Sequence, residues 1–324
     1  MGEIEVPERN RSLVRRLDHV IIRVHDPYYD KLHTMLAETF DLPESWPVNE
    51  QPGFRSGGIF AGNVDMEILH VGDAGLSTDF GGTEARLYGT VFEAAGSFDD
   101  LDRDFTALAE RDIPYIPSPY VRGKGEKAET WWMNVFLGDL LGSTAWMKVF
   151  FTYKRVLSDS LWLQLASQGT GNNPAGAKFL FDKVYPNGTV FLVKYNPVWR
   201  DIDAEREARA EALRDREGGS LGLVGVRSIE LGLEDFERQR TSWAQLLASH
   251  PQVGEATWQV GDGPVIRAVP DSESRVRSMV WQVRSLERAE GFLRGQGMMG
   301  EAGDGRIQVD PSSLFGLDIQ LVAA

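Results

Sequence analysis

Apolar and polar positions follow one recurring order along this chain. An apolar strand is followed by an acidic or polar turn and then by an amphipathic helix. Repeats of this order start at Leu17, Leu87, Val226 and Val276. In the second repeat the apolar residues between positions 101 and 109 fall at helical spacing, with charged residues between them. A fourfold repeat of one unit predicts a modular fold.

Further strand-like segments follow the predicted helices, and these complete each repeat. They span residues 64–70, 130–137, 146–153, 190–195, 256–260, 265–269 and 316–322. The last strand of the second repeat is either the segment at 147–153 or the one at 189–195, and the pattern leaves both open. The predicted fold class is α+β, with four βαβββ modules in two pairs, each pair forming a cupped mixed sheet.

Two stretches do not fit the repeat. Residues 156–189 read as an insertion that ends in the turn signal Asn187-Gly188. Residues 200–217 are charged and favour a helix, and two glycines follow them. We therefore predict an N-terminal module pair over 1–199, a charged linker over 200–219 and a C-terminal pair over 220–324.

The amino-acid composition limits the classes of molecule that the protein is expected to bind. The chain has 324 residues, no cysteine and a net charge of −14. Such acidity disfavours binding to nucleic acid or to an anionic membrane, and the missing thiols exclude disulfides and cysteine nucleophiles. No apolar run reaches the length of a signal peptide core or of a membrane span, so we expect a cytoplasmic protein that binds a small molecule.

The strings LDHV at 17–20 and MEIL at 66–69, together with the fourfold recurrence, give the chain a family resemblance. It resembles the vicinal oxygen chelate superfamily of glyoxalases, extradiol dioxygenases and bleomycin-resistance-type binding proteins. In that superfamily two modules form a cup whose metal ligands come from first and last strands. The resemblance implies first-strand ligand positions at His19, Gly89, Ser228 and Ser278. It implies last-strand positions at Glu67, at Gln320 and at either Thr152 or Lys194.

The ligand types at these positions favour the N-terminal cup. His19 and Glu67 are good ligands for a divalent metal, whereas the serines and Gln320 of the C-terminal pair are poor ones. A catalytic metal site usually needs about three protein ligands. Strand alternation places Glu93 on the face that bears Gly89, so we expect Glu93 as the third ligand. The other histidines at 25, 33 and 70 are weaker alternatives.

The resemblance implies an enzyme with lyase, isomerase or dioxygenase chemistry that uses Fe, Mn, Zn or Ni. Glu67 would act as a ligand or as a base. The predicted substrate-binding residues are Arg23, Trp131, Trp132 and Lys194. The alternative is a metal-free protein that binds or sequesters a hydrophobic or cationic compound in an aromatic cup. Proteins built from paired modules often dimerise through sheet edges, so a homodimer is one expected assembly.

Overall fold

A computed structural model describes residues 11–51, 53–72, 80–123, 129–142, 144–158 and 178–324. Within these residues the chain forms two eight-stranded mixed sheets of identical strand order. No helix in this part of the chain is long and apolar enough to cross a membrane.

The N-terminal sheet has the order β2-β3-β4-β1-β5-β8-β7-β6. Its first module contains β1 (Val14–Val24), α1 (Asp26–Thr34), β2 (Glu44–Gln51), β3 (Phe54–Phe60) and β4 (Asp65–Val71). Its second contains β5 (Ala85–Ala94), α2 (Leu101–Glu110), β6 (Tyr115–Arg122), β7 (Glu129–Leu137), α3 (Ala145–Val156) and β8 (Thr189–Tyr195). Helix α4 (Ile202–Asp215) joins the two sheets along the chain.

The C-terminal sheet repeats this order as β10-β11-β12-β9-β13-β16-β15-β14. The third module contains β9 (Leu223–Leu233), α5 (Phe236–Leu246), β10 (Gln252–Gly254), β11 (Thr257–Gln259) and β12 (Val265–Pro270). The fourth contains β13 (Arg275–Val283), α6 (Leu286–Gln296), β14 (Met299–Gly303), β15 (Arg306–Val309) and β16 (Ile319–Ala323). The α+β fold of paired βαβββ modules is thus confirmed.

Local sequence signals set the helix ends. The Ser285 side chain accepts a hydrogen bond from the Arg288 amide at the start of α6, and Gly297 ends this helix with a φ of 68°. The Thr144 hydroxyl caps α3 by accepting from the Met147 amide. This cap and an apolar spacing of three to four residues make 145–156 a helix.

The predicted strand at 146–153 is therefore wrong, and Thr152 lies on α3 instead of on a last strand. A short apolar run does not distinguish a strand from a helix by itself. The other open choice, 189–195, forms β8, which pairs in parallel with β5. The predicted insertion corresponds to the connection between β7 and β8, and its residues 159–177 lie outside the described part.

All four first strands carry a β-bulge at the same place. In β1 the pairing with β5 passes from Leu17 directly to His19, so Asp18 is the extra residue. The extra residues of β5, β9 and β13 are Tyr88, Arg227 and Arg277. A bulge turns the extra residue toward the side of its neighbour. Each first strand thus presents two consecutive side chains to one face, which we call the cup face of its sheet.

The opposite faces and most of the helices form one buried core that spans both sheets. Phe92 of β5 packs edge-on against Trp243 of α5 at 6.0 Å between ring centroids. Phe40, after α1, makes a similar contact with Trp281 of β13 at 6.2 Å. The two halves are thus packed against each other, while the division into domains at 200–219 stays a prediction.

Candidate functional site

His19 lies on the cup face of β1 and is almost fully buried. Its Nδ1 is 2.7 Å from Oδ2 of Asp18, the bulge residue beside it. Asp18 also accepts hydrogen bonds from the Tyr195 hydroxyl at 2.9 Å and from Arg206 of α4 at 3.2 Å. The bulge therefore gives the histidine a carboxylate partner that is itself held by β8 and α4.

Glu67 lies on the cup face of β4, one strand away from His19. Its Oε2 is 3.3 Å from His19 Nε2, without the alignment of a hydrogen bond, so Nε2 is a buried atom with no hydrogen-bond partner. Ser56 of β3 donates to the other oxygen, Oε1, at 2.6 Å. The hydroxyl thereby holds the carboxylate with Oε2 directed at the histidine.

The local electrostatics favour a positive group at this point. Burial alone would lower the pKa of His19, but the hydrogen bond to Asp18 and the charges of Asp18 and Glu67 outweigh it and raise the pKa to about 9. Burial would likewise raise the pKa of Asp18, but His19 and Arg206 lower it strongly. The site therefore holds one cation between two carboxylates.

Aromatic rings enclose the pair. Trp46 of β2 and Phe191 of β8 each contact the imidazole edge-on, with ring centroids 6.0 Å away. The rest of the cup face is filled by the connection between β7 and β8, which places Met147, Phe151 and Phe181 against the sheet. The connection therefore fills part of the cup.

The predicted substrate residue Arg23 lies in the filled part of the cup. Its Nη2 donates to Asp182 Oδ1 at 2.9 Å, and its side chain is 2% exposed. Its guanidinium also lies over the ring of Tyr88, 5.0 Å from the centroid. The structure therefore places Arg23 where it fastens the inserted segment to the sheet.

Glu93 and Lys194 lie away from the His19–Glu67 pair. Glu93 is on the cup face as expected, but Arg15 and Arg16 hold its two carboxylate oxygens at 2.7 and 2.6 Å. Lys194 is on the opposite face, where its ammonium pairs with Asp104 of α2. Among the described residues no group of three His, Asp or Glu side chains could hold a metal ion.

The two predicted tryptophans lie on opposite faces of β7. Trp132 packs against the apolar cup cluster and stacks on Tyr120, with the ring centroids 3.8 Å apart. Trp131 stacks on Trp199 at 5.7 Å, and the Arg122 guanidinium lies over it. Of the two, Trp132 therefore faces the cup, and Trp131 lies on the other face of β7.

Comparison with known proteins identifies the architecture. No family model and no curated protein matches the chain. Among solved structures, the 2,3-dioxygenase LapB from Pseudomonas sp. KL28 matches 97% of this chain and 93% of its own, with a TM-score of 0.52 and 10% identity. A variant of homoprotocatechuate 2,3-dioxygenase from B. fuscum matches 99% and 74%, with a TM-score of 0.51 and 11% identity. The chain has the vicinal oxygen chelate fold.

The strand pairing identifies the residues of the second module that correspond to His19 and Glu67. Strand pairing makes Gly89 the counterpart of His19, since Gly89 pairs with Ile21 and His19 pairs with Val91. Phe191 is the counterpart of Glu67, because Phe191 pairs with Val91 as Glu67 pairs with Ile21. Neither residue has a side-chain ligand atom, so the four positions at which the resemblance implies ligands hold one histidine and one carboxylate.

His19 and Glu67 nonetheless have two chemical features that suit a metal ligand pair. Metal-binding histidines commonly donate a hydrogen bond from their second ring nitrogen to a carboxylate, as His19 Nδ1 does to Asp18. His19 Nε2, which makes no aligned hydrogen bond, and the adjacent Glu67 Oε2 could contribute two ligands to one divalent ion. A third ligand would have to come from substrate or water.

Sequence reasoning missed several residues of this vicinal oxygen chelate cup. Strict strand alternation places Asp18 on the face opposite to His19, and the bulge breaks this alternation. Trp46 and Ser56 lie on strands that had no clear periodicity, and Arg206 belongs to a segment read as a linker. The acidic residue directly before His19 was the one available signal, since such a neighbour can orient an imidazole.

Proposed function

We propose that this protein is a small-molecule enzyme whose site is the N-terminal cup, with a divalent metal held partly by His19 and Glu67. The observation that carries the proposal is the buried His19 Nε2, which has no hydrogen-bond partner and faces Glu67 Oε2 at 3.3 Å. A buried polar atom without a partner costs free energy, which a bound ligand would recover.

The surrounding residues have separate roles in this proposal. Asp18 orients the imidazole through Nδ1, and Arg206 and Tyr195 hold Asp18. A divalent ion at the pair would polarise a carbonyl or hydroxyl oxygen of a chelating substrate as a Lewis acid. Glu67 would serve as a ligand or, if released, accept a proton from the substrate.

The aromatic rings limit the access of water to His19, which is 8% exposed. Trp46 and Phe191 flank the imidazole, and the segment that carries Phe181 closes the other side of the cup. A low-dielectric surrounding strengthens the electrostatic effect of a bound ion. These features favour a compact substrate with two adjacent oxygens, in lyase, isomerase or dioxygenase chemistry.

Elemental analysis of the protein purified without chelator tests the proposal. We expect near-stoichiometric Fe, Mn, Zn or Ni in the parent and loss of the metal in the His19→Ala, Glu67→Ala double variant. His33→Ala is the matched control, since His33 lies on α1, where it stacks on Tyr29 and approaches Glu44 at 3.8 Å. Absence of metal from the parent, even after reconstitution with each ion, would refute the metalloenzyme.

A metal-free binding protein is the second candidate. It is favoured by the raised pKa of His19, because an imidazolium between two carboxylates needs no metal to be stable. Glu67, whose Oε1 accepts a hydrogen bond from Ser56, would then pair through Oε2 with a cationic or hydrogen-bonding ligand that packs against Trp46. A metal-free parent would direct the search to such ligands, with binding followed by the fluorescence of the cup tryptophans.

A further inference from the structure

The two cups differ in charge at equivalent positions. The bulges and the strand registers define six such positions in each cup: two on each first strand and one on each last strand. In the N-terminal cup they are Asp18, His19, Glu67, Tyr88, Gly89 and Phe191. In the C-terminal cup they are Arg227, Ser228, Arg267, Arg277, Ser278 and Gln320. The N-terminal cup thus has two carboxylates at these positions, and the C-terminal cup has three arginines.

Two of these arginines are already paired. Arg267 and Arg277 approach the two oxygens of Glu230 at 3.4 and 3.3 Å. Glu230 is the residue of β9 that pairs with Arg267, so it lies in the middle of the cup face. This pairing leaves the charge of Arg227 to be explained.

Arg227 has no hydrogen bond and no ion pair with any described residue, and its bulge turns it into the cup. Arg306 of β15 lines the same cleft and donates a hydrogen bond to the Gln320 amide oxygen at 3.0 Å, and it has no ion pair with a described residue. The two guanidinium groups therefore present donors to the cleft without a carboxylate partner. In a chain with a net charge of −14, two such cations in one cleft stand out.

The cleft between these arginines has a volume of about 300 Å³, which suits a small ligand. Its apolar floor is formed by Val280 and Val322, which are 8% and 7% exposed. Ser228 also lines the cleft, as does Asp304 in the turn between β14 and β15. The lining of the cleft thus combines two guanidinium groups with an apolar surface.

We propose that the C-terminal cup binds a small organic anion. Its carboxylate or phosphate group would lie between Arg227 and Arg306, since guanidinium groups bind both oxyanions through paired N–H donors. Its apolar body would cover Val280 and Val322, with the Ser228 hydroxyl as a further donor. Asp304 in the lining disfavours a second negative charge on the ligand.

This site is independent of the His19–Glu67 pair, which lies on the other sheet. In the C-terminal cup, Ser228 and Ser278 occupy the positions of His19 and Gly89, and serine is a poor metal ligand. The arginines of this cup carry positive charge where the N-terminal cup has carboxylates. The same scaffold would thus hold a cation in one cup and an anion in the other.

Titration calorimetry of the full chain tests the proposal, with benzoate, phenyl phosphate and neutral benzyl alcohol as probes at fixed ionic strength. We expect saturable binding of at least one anion at one site per chain and none of the alcohol. Arg227→Ala and Arg306→Ala should each weaken binding about tenfold or more, because each removes a charge-assisted contact. Benzoate and phenyl phosphate report which head group is preferred.

Arg284→Ala is the matched control, since Arg284 is an exposed arginine near the end of the same sheet that does not line the cleft. It should bind as the parent does, as should the His19→Ala, Glu67→Ala variant, and thermal melts would show that all variants are folded. Three outcomes would overturn the proposal. They are no saturable binding at millimolar anion, equal affinity of the Arg227, Arg306 and Arg284 variants, and loss of binding in the His19, Glu67 variant alone.

Discussion

A buried histidine between two carboxylates links folding to proton binding. The raised pKa of His19 means that the folded chain keeps a proton that the unfolded chain releases near pH 6.5. The stabilising effect is complete below pH 6.5 and is lost as the pH rises toward about 9. Asp18 and Glu67 are the residues that cause this behaviour.

We therefore predict that the metal-free protein loses stability between pH 6.5 and about 9. The loss should be on the order of 3 kcal/mol, since one pKa unit corresponds to about 1.4 kcal/mol. Urea unfolding at several pH values after chelator treatment measures it. His19→Gln removes the titrating group and should flatten the curve in this window. Equal slopes in parent and variant would contradict the prediction.

At this scale the sequence predicted that His19 and Glu67 lie on the first and last strands of one module and that Gly89 and Glu93 share a face, and the structure has both arrangements. It did not predict which charged residues are already paired. Glu93 is held by two arginines and Lys194 by Asp104, and these partners come from segments far along the chain. Pairing between distant segments depends on tertiary packing, which a periodic pattern does not report.

Among the secondary-structure elements, helix α4 was predicted as a linker, yet it contributes Arg206 to the surroundings of His19. Arg206 donates to the carbonyl oxygens of Leu17 and Asn63 at 3.3 and 3.0 Å and to Asp18. Arg209, one turn later, reaches Asp65 at 3.3 Å. The sequence predicted a charged linker here, but two of its arginines are buried against β1 and β4. Composition alone does not show which face of a charged helix is covered.

We predict that Arg206→Gln detaches α4 from the sheet. Removing one member of a buried ion pair typically costs about 3–5 kcal/mol. Hydrogen exchange of the amides at 202–215 should accelerate more than that of β9 or β13, because the opening is local. Arg214→Gln is the matched control on the same helix, since its pair with Glu207 is exposed and should contribute less than about 1 kcal/mol. Equal exchange in both variants would show that Arg206 does not hold the helix.

Over the whole molecule, the fourfold recurrence in the sequence predicted the module order correctly. The relation of the two halves could not be read from it, because each helix has an apolar face whichever sheet covers it. Phe92 and Trp243 belong to different halves yet pack together, and Trp243 Nε1 donates to the Leu140 oxygen at 3.1 Å. Asn63 forms two hydrogen bonds with the backbone of Val226, at 2.7 and 3.0 Å. The interface is thus part of the core.

A shared core predicts that the two halves unfold together. Calorimetry of the full chain should give one transition whose calorimetric and van't Hoff enthalpies agree. Trp243→Ala should lower the unfolding free energy by about 3–5 kcal/mol and move the whole transition, since the indole fills space between the halves. Val253→Ala, at an exposed position of β10, is the control and should leave the midpoint nearly unchanged. Two transitions, of which Trp243→Ala moves only one, would instead mean that the linker at 200–219 separates independent domains.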